Sequence, residues 1–199
     1  VQKLGVLGGT FDPPHTGHLI LAEYAFDSLD LEQVLFLPAA DPPHKQLEDK
    51  QPVQHRLAML ELALADNDHF ALSRIDVDRP GPHYSVDMLR ILHEQYPEHE
   101  LYFVMGSDSL RNITRWYQPD ELIRLCRLAV MRRPGDYIQL DMHEAALPGL
   151  AGRVVMVEAP LIGIASSQIV SRIQQGRSIR YLLPQAVQDY VEEHGLYRV

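Results

Sequence analysis

The chain is poor in the residues that staple small or extracellular proteins together. Of its 199 residues one is a cysteine, Cys126. An internal disulfide and a thiolate metal cluster are both excluded, since each needs several cysteines. In the context Leu125-Cys126-Arg127-Leu128 the thiol reads as a packing residue. Lysine is almost as scarce, with only Lys3, Lys45 and Lys50, while arginines are many and the net charge is −9. A nucleic-acid partner is not expected, because attraction to a phosphate backbone comes from clustered Lys and Arg. Nor is a membrane partner: no run approaches the roughly 20 apolar residues that span a bilayer. A strand starts within a few residues of Val1, which leaves no room for a signal segment, so the expectation is a cytoplasmic protein. Repeats and low-complexity segments are absent. With 46% hydrophobic and 23% charged residues the composition is that of a globular protein. The length predicts one domain over 1–199 with a helical C-terminal part from about 165, and leaves association into a homo-oligomer open.

What is present concentrates near the start, in Gly5-Val6-Leu7-Gly8-Gly9-Thr10-Phe11-Asp12-Pro13-Pro14-His15-Thr16-Gly17-His18. Leu4-Gly5-Val6-Leu7 is a short apolar run suited to a buried parallel strand, and Gly8-Gly9 ends it with a turn. Beyond the prolines, Leu19, Ala22, Phe26 and Leu29 share one face of an amphipathic helix. Strand, glycine turn and helix together let a phosphate approach backbone N–H groups at a helix N-terminus. His15 and His18, three apart, fall on one side of the first helical turn and offer two imidazoles to the same anion.

The rest of the chain alternates apolar runs with helical patterns. Strands are predicted at Val34–Leu37, Phe70–Leu72, Leu101–Met105, Leu128–Met131 and Val154–Val157, and helices over 53–65, from Tyr84-Ser85, over 109–113, over 119–125, from 165 to Gly176, and from Pro184. Ser85 and Asp108 are expected to cap their helices, 76–82 to be a loop, and Ala186, Val187, Tyr190 and Val191 to be the buried face of the last helix. The alternation predicts an α/β fold with a doubly wound, mainly parallel sheet, in which ligands bind at the carboxyl ends of strands. On that edge Asp108 is placed to hold a ribose hydroxyl, and Lys45, after the stiff Pro42-Pro43, is a candidate phosphate ligand. Ser166 and Ser167 can cap a helix or hold a phosphate. Trp116, outside any apolar periodicity, is either core or a stacking platform for a flat ring.

The run from Gly8 to His18 resembles, without a gap, the first motif of the nucleotidyltransferases of the HxGH type. Four further stretches are similar to the bacterial nicotinate-nucleotide adenylyltransferase family within it: Pro42-Pro43-His44-Lys45, Tyr84-Ser85-Val86-Asp87, Gly106-Ser107-Asp108 through Trp116-Tyr117, and Arg180-Tyr181-Leu182-Leu183-Pro184. The resemblance implies a Rossmann-like fold and transfer of the adenylyl group of ATP to nicotinate mononucleotide, in NAD biosynthesis. It implies Mg²⁺ carried with ATP and no protein metal site. Thr10, His15, His18 and Lys45 would be catalytic. ATP would meet Gly8, Gly9, Thr10, Phe11, His15, His18, Ser166, Ser167 and Arg172; the mononucleotide would meet Tyr84, Ser85, Gly106, Asp108, Trp116 and Tyr117. The family pattern Ile-Ser-Ser-Thr-x-Ile-Arg, set against Ala165–Ser171, puts Ser171 at the arginine, with Arg172 one place on. Two alternatives stay open: another acceptor, nicotinamide mononucleotide or phosphopantetheine, and an inactive nucleotide-binding sensor.

Overall fold

A computed structural model describes residues 1–40, 50–132, 140–160 and 162–198. Six strands, β1 Gln2–Gly9, β2 Gln33–Pro38, β3 Phe70–Leu72, β4 His99–Gly106, β5 Arg127–Met131 and β6 Val154–Val157, form one parallel sheet. Their order is β3-β2-β1-β4-β5-β6. The chain winds outward from β1 one way, then restarts beside β1 and winds the other way. The order therefore reverses between β1 and β4, and a crevice opens there at the carboxyl ends of the strands.

Period-two alternation sorts the strand residues onto two faces. Leu4, Val6, Leu35, Leu37, Leu101, Phe103, Leu128 and Val130 join one buried cluster with Val86, Leu89 and Leu92 of α4 (Ser85–Gln95) and with α6 (Pro119–Leu125). Leu7, Val34, Phe36, Tyr102, Val104, Ala129 and Met131 join the opposite cluster. There they meet Ala22 and Ala25 of α1 (Thr16–Leu29) and Leu60 and Leu64 of α2 (Val53–Leu64). Burial on both faces is why these strands read as unbroken apolar runs.

A third cluster lies beyond the sheet. Met59 and Ala63, on the outer side of α2, pack against Ile169 of α8 (Ser166–Gln174), Val187 and Val191 of α9 (Gln185–Glu193), and Tyr197. Gly176, at φ 65°, follows α8 where a left-handed residue ends a helix.

Several local expectations are corrected. Residues 76–78, expected in a loop, belong to a single helical turn, α3 Ile75–Asp78. Tyr84, not Ser85, caps α4: its backbone is extended, and its carbonyl accepts from the N–H groups of Asp87 and Met88. The helix after β4, α5 (Ser107–Arg111), starts two residues earlier than expected and is capped by Gly106, which leaves Asp108 inside its first turn. Ala186 is exposed, because α9 buries the four-residue spacing Val187 and Val191, and Ala186 lies one position, about 100°, round from Val187. The remaining described α-helix, α7 Leu140–Ala146, lies between β5 and β6 in the chain. Among the described residues no helix is long and apolar enough to cross a membrane.

Candidate active site

The motif loop turns from β1 into α1 through Phe11, whose φ is 50°, and Asp12. His15 is the N-cap of α1 and His18 its third residue. The two rings stack at 3.6 Å and 20°. His18 Nδ1 accepts from the His15 backbone N–H at 3.1 Å. A ring nitrogen that accepts carries no proton, so neutral His18 is the Nε2–H tautomer, with that N–H as its donor. Gly17 is a glycine for a steric reason: a Cβ there would sit 3.0 Å from His15 Nδ1 and 3.1 Å from its Cε1. Any other residue would crowd the His15 ring, which would have to give by a few tenths of an ångström.

The C-terminal part holds this loop at three places. Thr16 donates from its backbone N–H to the Leu182 carbonyl at 2.9 Å and from Oγ1 to the Tyr181 carbonyl at 3.1 Å. Ser166 Oγ donates to the Pro13 carbonyl at 3.0 Å, and the Tyr197 hydroxyl donates to Asp12 Oδ1.

Among the described residues three recesses border the loop. A narrow cleft of about 90 Å³ is lined by His15, Gly17, His18, Gly106, Arg132 and Ile164 among others. A second, of about 220 Å³, lies on the other side of β1, between Gly8, Gly9 and Thr10 and the wall Tyr84, Ser85, Trp116 and Tyr117. The third, of about 310 Å³, lies between Thr10, Asp12 and Lys50 and the start of α8 at Ser166, Ser167, Val170 and Ser171. Thr10 belongs to both the second and the third.

The second recess is aromatic and stiff. Tyr84 and Tyr117 stack at 4.2 Å and 25°. Trp116 combines both readings of it, packing edge-on against Phe103 at 6.0 Å and partly buried against the core while its remaining surface lines the recess. Arg79 holds the wall: Nε donates to Asp76 at 2.8 Å, Nη1 to the Pro82 carbonyl at 3.0 Å and Nη2 to the Tyr84 carbonyl at 3.2 Å. Asp76 is 6% exposed, so removing Arg79 would leave a buried charge uncompensated, at a cost of about 3–5 kcal/mol.

A cytidylyltransferase-like family model matches residues 6–172. A protein of Thermomicrobium roseum named probable nicotinate-nucleotide adenylyltransferase is 49% identical over 198 residues, covering 100% of this chain and 92% of that protein. One of the same name from Thermus thermophilus is 42% identical, covering 99% of this chain and 100% of that protein. The chain belongs to the nicotinate-nucleotide adenylyltransferase family. Its fold is shared with the Plasmodium falciparum nicotinic acid mononucleotide adenylyltransferase complexed with NaAD, at TM-score 0.81 and 17% identity, covering 99% of this chain and 98% of that one. As a member of that family the protein is a nucleotidyltransferase.

The family's signature residues are distributed over the three recesses. His15 and His18 share the first with Gly106, which was expected beside the mononucleotide residues. Gly8, Gly9 and Thr10 line the second with Tyr84, Ser85, Trp116 and Tyr117. Phe11 lines none of them: it is 1% exposed, its ring packed on His18 and Phe36, so it supports the histidine from below. Asp108 sits at the carboxyl end of β4 on α5, outside the linings of all three recesses. Lys45 lies outside the described residues.

Arg172 is turned away, its Nε donating to the Ser178 carbonyl at 2.8 Å. Burial also moves the register of the family pattern Ile-Ser-Ser-Thr-x-Ile-Arg. Its second isoleucine belongs on the buried side, and the buried residue is Ile169, 1% exposed. The pattern then runs from Ile164 to Val170, and the residue at the arginine position is Val170 rather than Ser171. Lys50, Arg56, Arg79 and Asp76 were missed by sequence reasoning. Only the i,i+3 spacing of Asp76 and Arg79 could have signalled a pair.

Proposed function

We propose that the protein transfers the adenylyl group of ATP to nicotinate mononucleotide, giving nicotinate adenine dinucleotide and pyrophosphate, with the two phosphate chains meeting over Thr10. The observation that carries this reading is the double membership of Thr10 in the second and third recesses. The pyridine ring of the mononucleotide lies between Trp116 and the Tyr84–Tyr117 stack, with its phosphate towards Gly9 and Thr10. The nucleoside part of ATP lies along the His15–His18 cleft, and the outer phosphates lie in the recess of Lys50, Ser166 and Ser167. A phosphate oxygen of the mononucleotide attacks the α-phosphorus in line, the new P–O bond forms, and the bond to the departing pyrophosphate breaks.

Phosphoryl-type transfer of this kind depends on positioning and on stabilising charge. The His18 Nε2–H and the Thr10 hydroxyl supply donors to the transferring group, and His15 holds His18 in place by stacking. Among the described residues no group of three or more His, Cys, Asp or Glu side chains is arranged to hold a metal. In this reading Mg²⁺ enters as part of the MgATP substrate, neutralising the triphosphate, and the hydroxyl of Ser167 suits a phosphate oxygen, while Ser166 spends its proton on the Pro13 carbonyl. Preference for the acid over the amide comes from the N-terminal turn of α4 at Ser85, whose partial positive charge favours a carboxylate.

The test is pyrophosphate release from MgATP with nicotinate mononucleotide, nicotinamide mononucleotide or phosphopantetheine supplied in parallel. Release is expected with the acid, at a kcat/KM at least about tenfold above the amide. Equal values for acid and amide would overturn the assignment of acid selection to α4. ATP binding without release from any acceptor would favour the sensor.

A further inference from the structure

A buried arginine stands behind the loop that bears Thr10. Arg56, on the first turns of α2, is 2% exposed. A guanidinium keeps its proton in a protein, so burial at this depth requires partners around it. Arg56 Nη1 donates to the Thr10 and Ala39 carbonyls, each at 2.8 Å; Nη2 donates to the Ala40 carbonyl at 3.3 Å and Nε to the Gln51 carbonyl at 3.2 Å. One side chain thus ties together the loop after β1, the loop after β2 and the lead into α2.

The same group answers to a carboxylate. Burial lowers the Arg56 pKa, and the nearby Asp12 and Tyr197 act against that shift. Both Asp12 oxygens are engaged, Oδ2 by the Gln51 backbone N–H at 3.1 Å and Oδ1 by the Tyr197 hydroxyl. Burial and the Asp12 charge raise the Tyr197 pKa, so its hydroxyl stays a donor. Asp12 faces the recess assigned above to the outer phosphates, where a loose carboxylate would repel them.

We propose that Arg56 and Tyr197 are positioning residues for adenylyl transfer, forming a buried brace that fixes the Thr10 carbonyl and holds the Asp12 carboxylate in place at the edge of the phosphate recess. The proposal rests on the reading that the phosphates meet over Thr10. A planar peptide makes the link direct: with the Thr10 oxygen fixed, the following N–H at Phe11 is fixed as well. Neither residue touches substrate in this arrangement. Each acts through Thr10 and Asp12, and a small misplacement of reacting groups is enough to cost about a hundredfold in rate.

The experiment compares wild type with Tyr197→Phe and Arg56→Lys, by steady-state pyrophosphate release, thermal unfolding, and amide hydrogen exchange resolved at Gln51 and Ala39. Tyr197→Phe keeps the ring in its apolar cluster and removes the hydroxyl, and with it the donor to Asp12 and a weak contact with Met59 Sδ at 4.0 Å. It is expected to lower kcat about tenfold, leave the KM for nicotinate mononucleotide within about twofold, and speed exchange of the Gln51 N–H. Arg56→Lys keeps the charge beside Asp12 and loses the planar fork, so kcat is expected to fall about a hundredfold, with faster exchange at Ala39 as well. If both variants melt earlier yet keep wild-type kcat per folded molecule, or if exchange at both amides is unchanged, the brace is overturned. A wild-type protein that releases no pyrophosphate overturns the reading of the site instead. The brace is then judged on exchange alone, where wild-type protection in both variants refutes it.

Discussion

His18 uses its Nδ1 lone pair on the His15 backbone N–H, and Lys50 borders a different recess from the one His18 lines. The two should fail differently on truncation. If His18 donates to the transferring group as proposed, His18→Ala is expected to lower kcat by about 10²–10³, with little change in the KM for ATP. If Lys50 binds the outer phosphates in ground and transition states alike, as the proposed placement of ATP requires, Lys50→Ala should raise the KM for ATP about tenfold while kcat is kept. Steady-state kinetics at saturating acceptor separate the two patterns, and a kcat loss for Lys50→Ala equal to that for His18→Ala would refute the division. The histidines were legible because a short, gapless motif carried them. Lys50 and Arg56 were not, since each owes its role to segments distant in sequence: Arg56 meets Thr10 across 46 residues and Ala39 across 17. In the α2 sequence Arg56 is simply the polar neighbour of Leu57.

At the scale of strands and helices, register decides what meets. Parallel pairing sets Lys3 opposite Glu100 and Tyr102 opposite Arg127. Arg127 Nε then donates to Glu100 Oε1 at 2.6 Å and the Tyr102 hydroxyl to Oε2 at 2.9 Å. Burial pulls the Glu100 pKa upward, but those hydrogen bonds and the charges of Arg127 and Lys3 outweigh it and bring the pKa below its ordinary 4.5. A depressed folded pKa contributes stability that is complete above the ordinary value and lost as pH falls through the folded one. Glu100→Gln should therefore lower Tm at neutral pH, by a small amount because the pair is part-exposed, and the difference should start to shrink as pH falls towards 4.5 and vanish once pH is below the lowered folded value. An undiminished difference in acid would refute the linkage. The strands themselves were readable to within a residue or two at their carboxyl ends, since burial on both faces leaves an unbroken apolar run. Short helices were harder. α3 and α5 carry too few residues for a period to show, and the cap of α4 is fixed by the extended backbone of Tyr84, which side-chain preference at Ser85 does not encode.

Across the whole molecule the cores close over Cys126, 3% exposed, with Sγ 3.4 Å from the Leu122 carbonyl. Burial pushes its thiol up to about 12 from 9.0, against weaker opposing effects of a backbone hydrogen bond at Phe103 and the charge of Arg153. A raised folded pKa contributes stability that is full below the unfolded value of 9.0 and is lost as pH rises towards 12. Near neutral pH the native thiol is unreactive, and alkylation by iodoacetamide should follow the global unfolding curve in urea. Labelling of the native protein at the rate of an exposed thiol would disprove this.

The contact between Asp12 and Tyr197 spans 185 residues. At about 5–20 residues per second a ribosome takes roughly 10–40 s to add that length. The loop that bears Thr10 is thus made well before the hydroxyl that secures it. A chain still tethered to the ribosome short of Tyr197 can lay down its parallel sheet, but it lacks the hydroxyl that engages Asp12. Nascent chains should accordingly acquire their tertiary sheet before they acquire a settled nucleotide loop, an order of events set by where the brace falls along the gene.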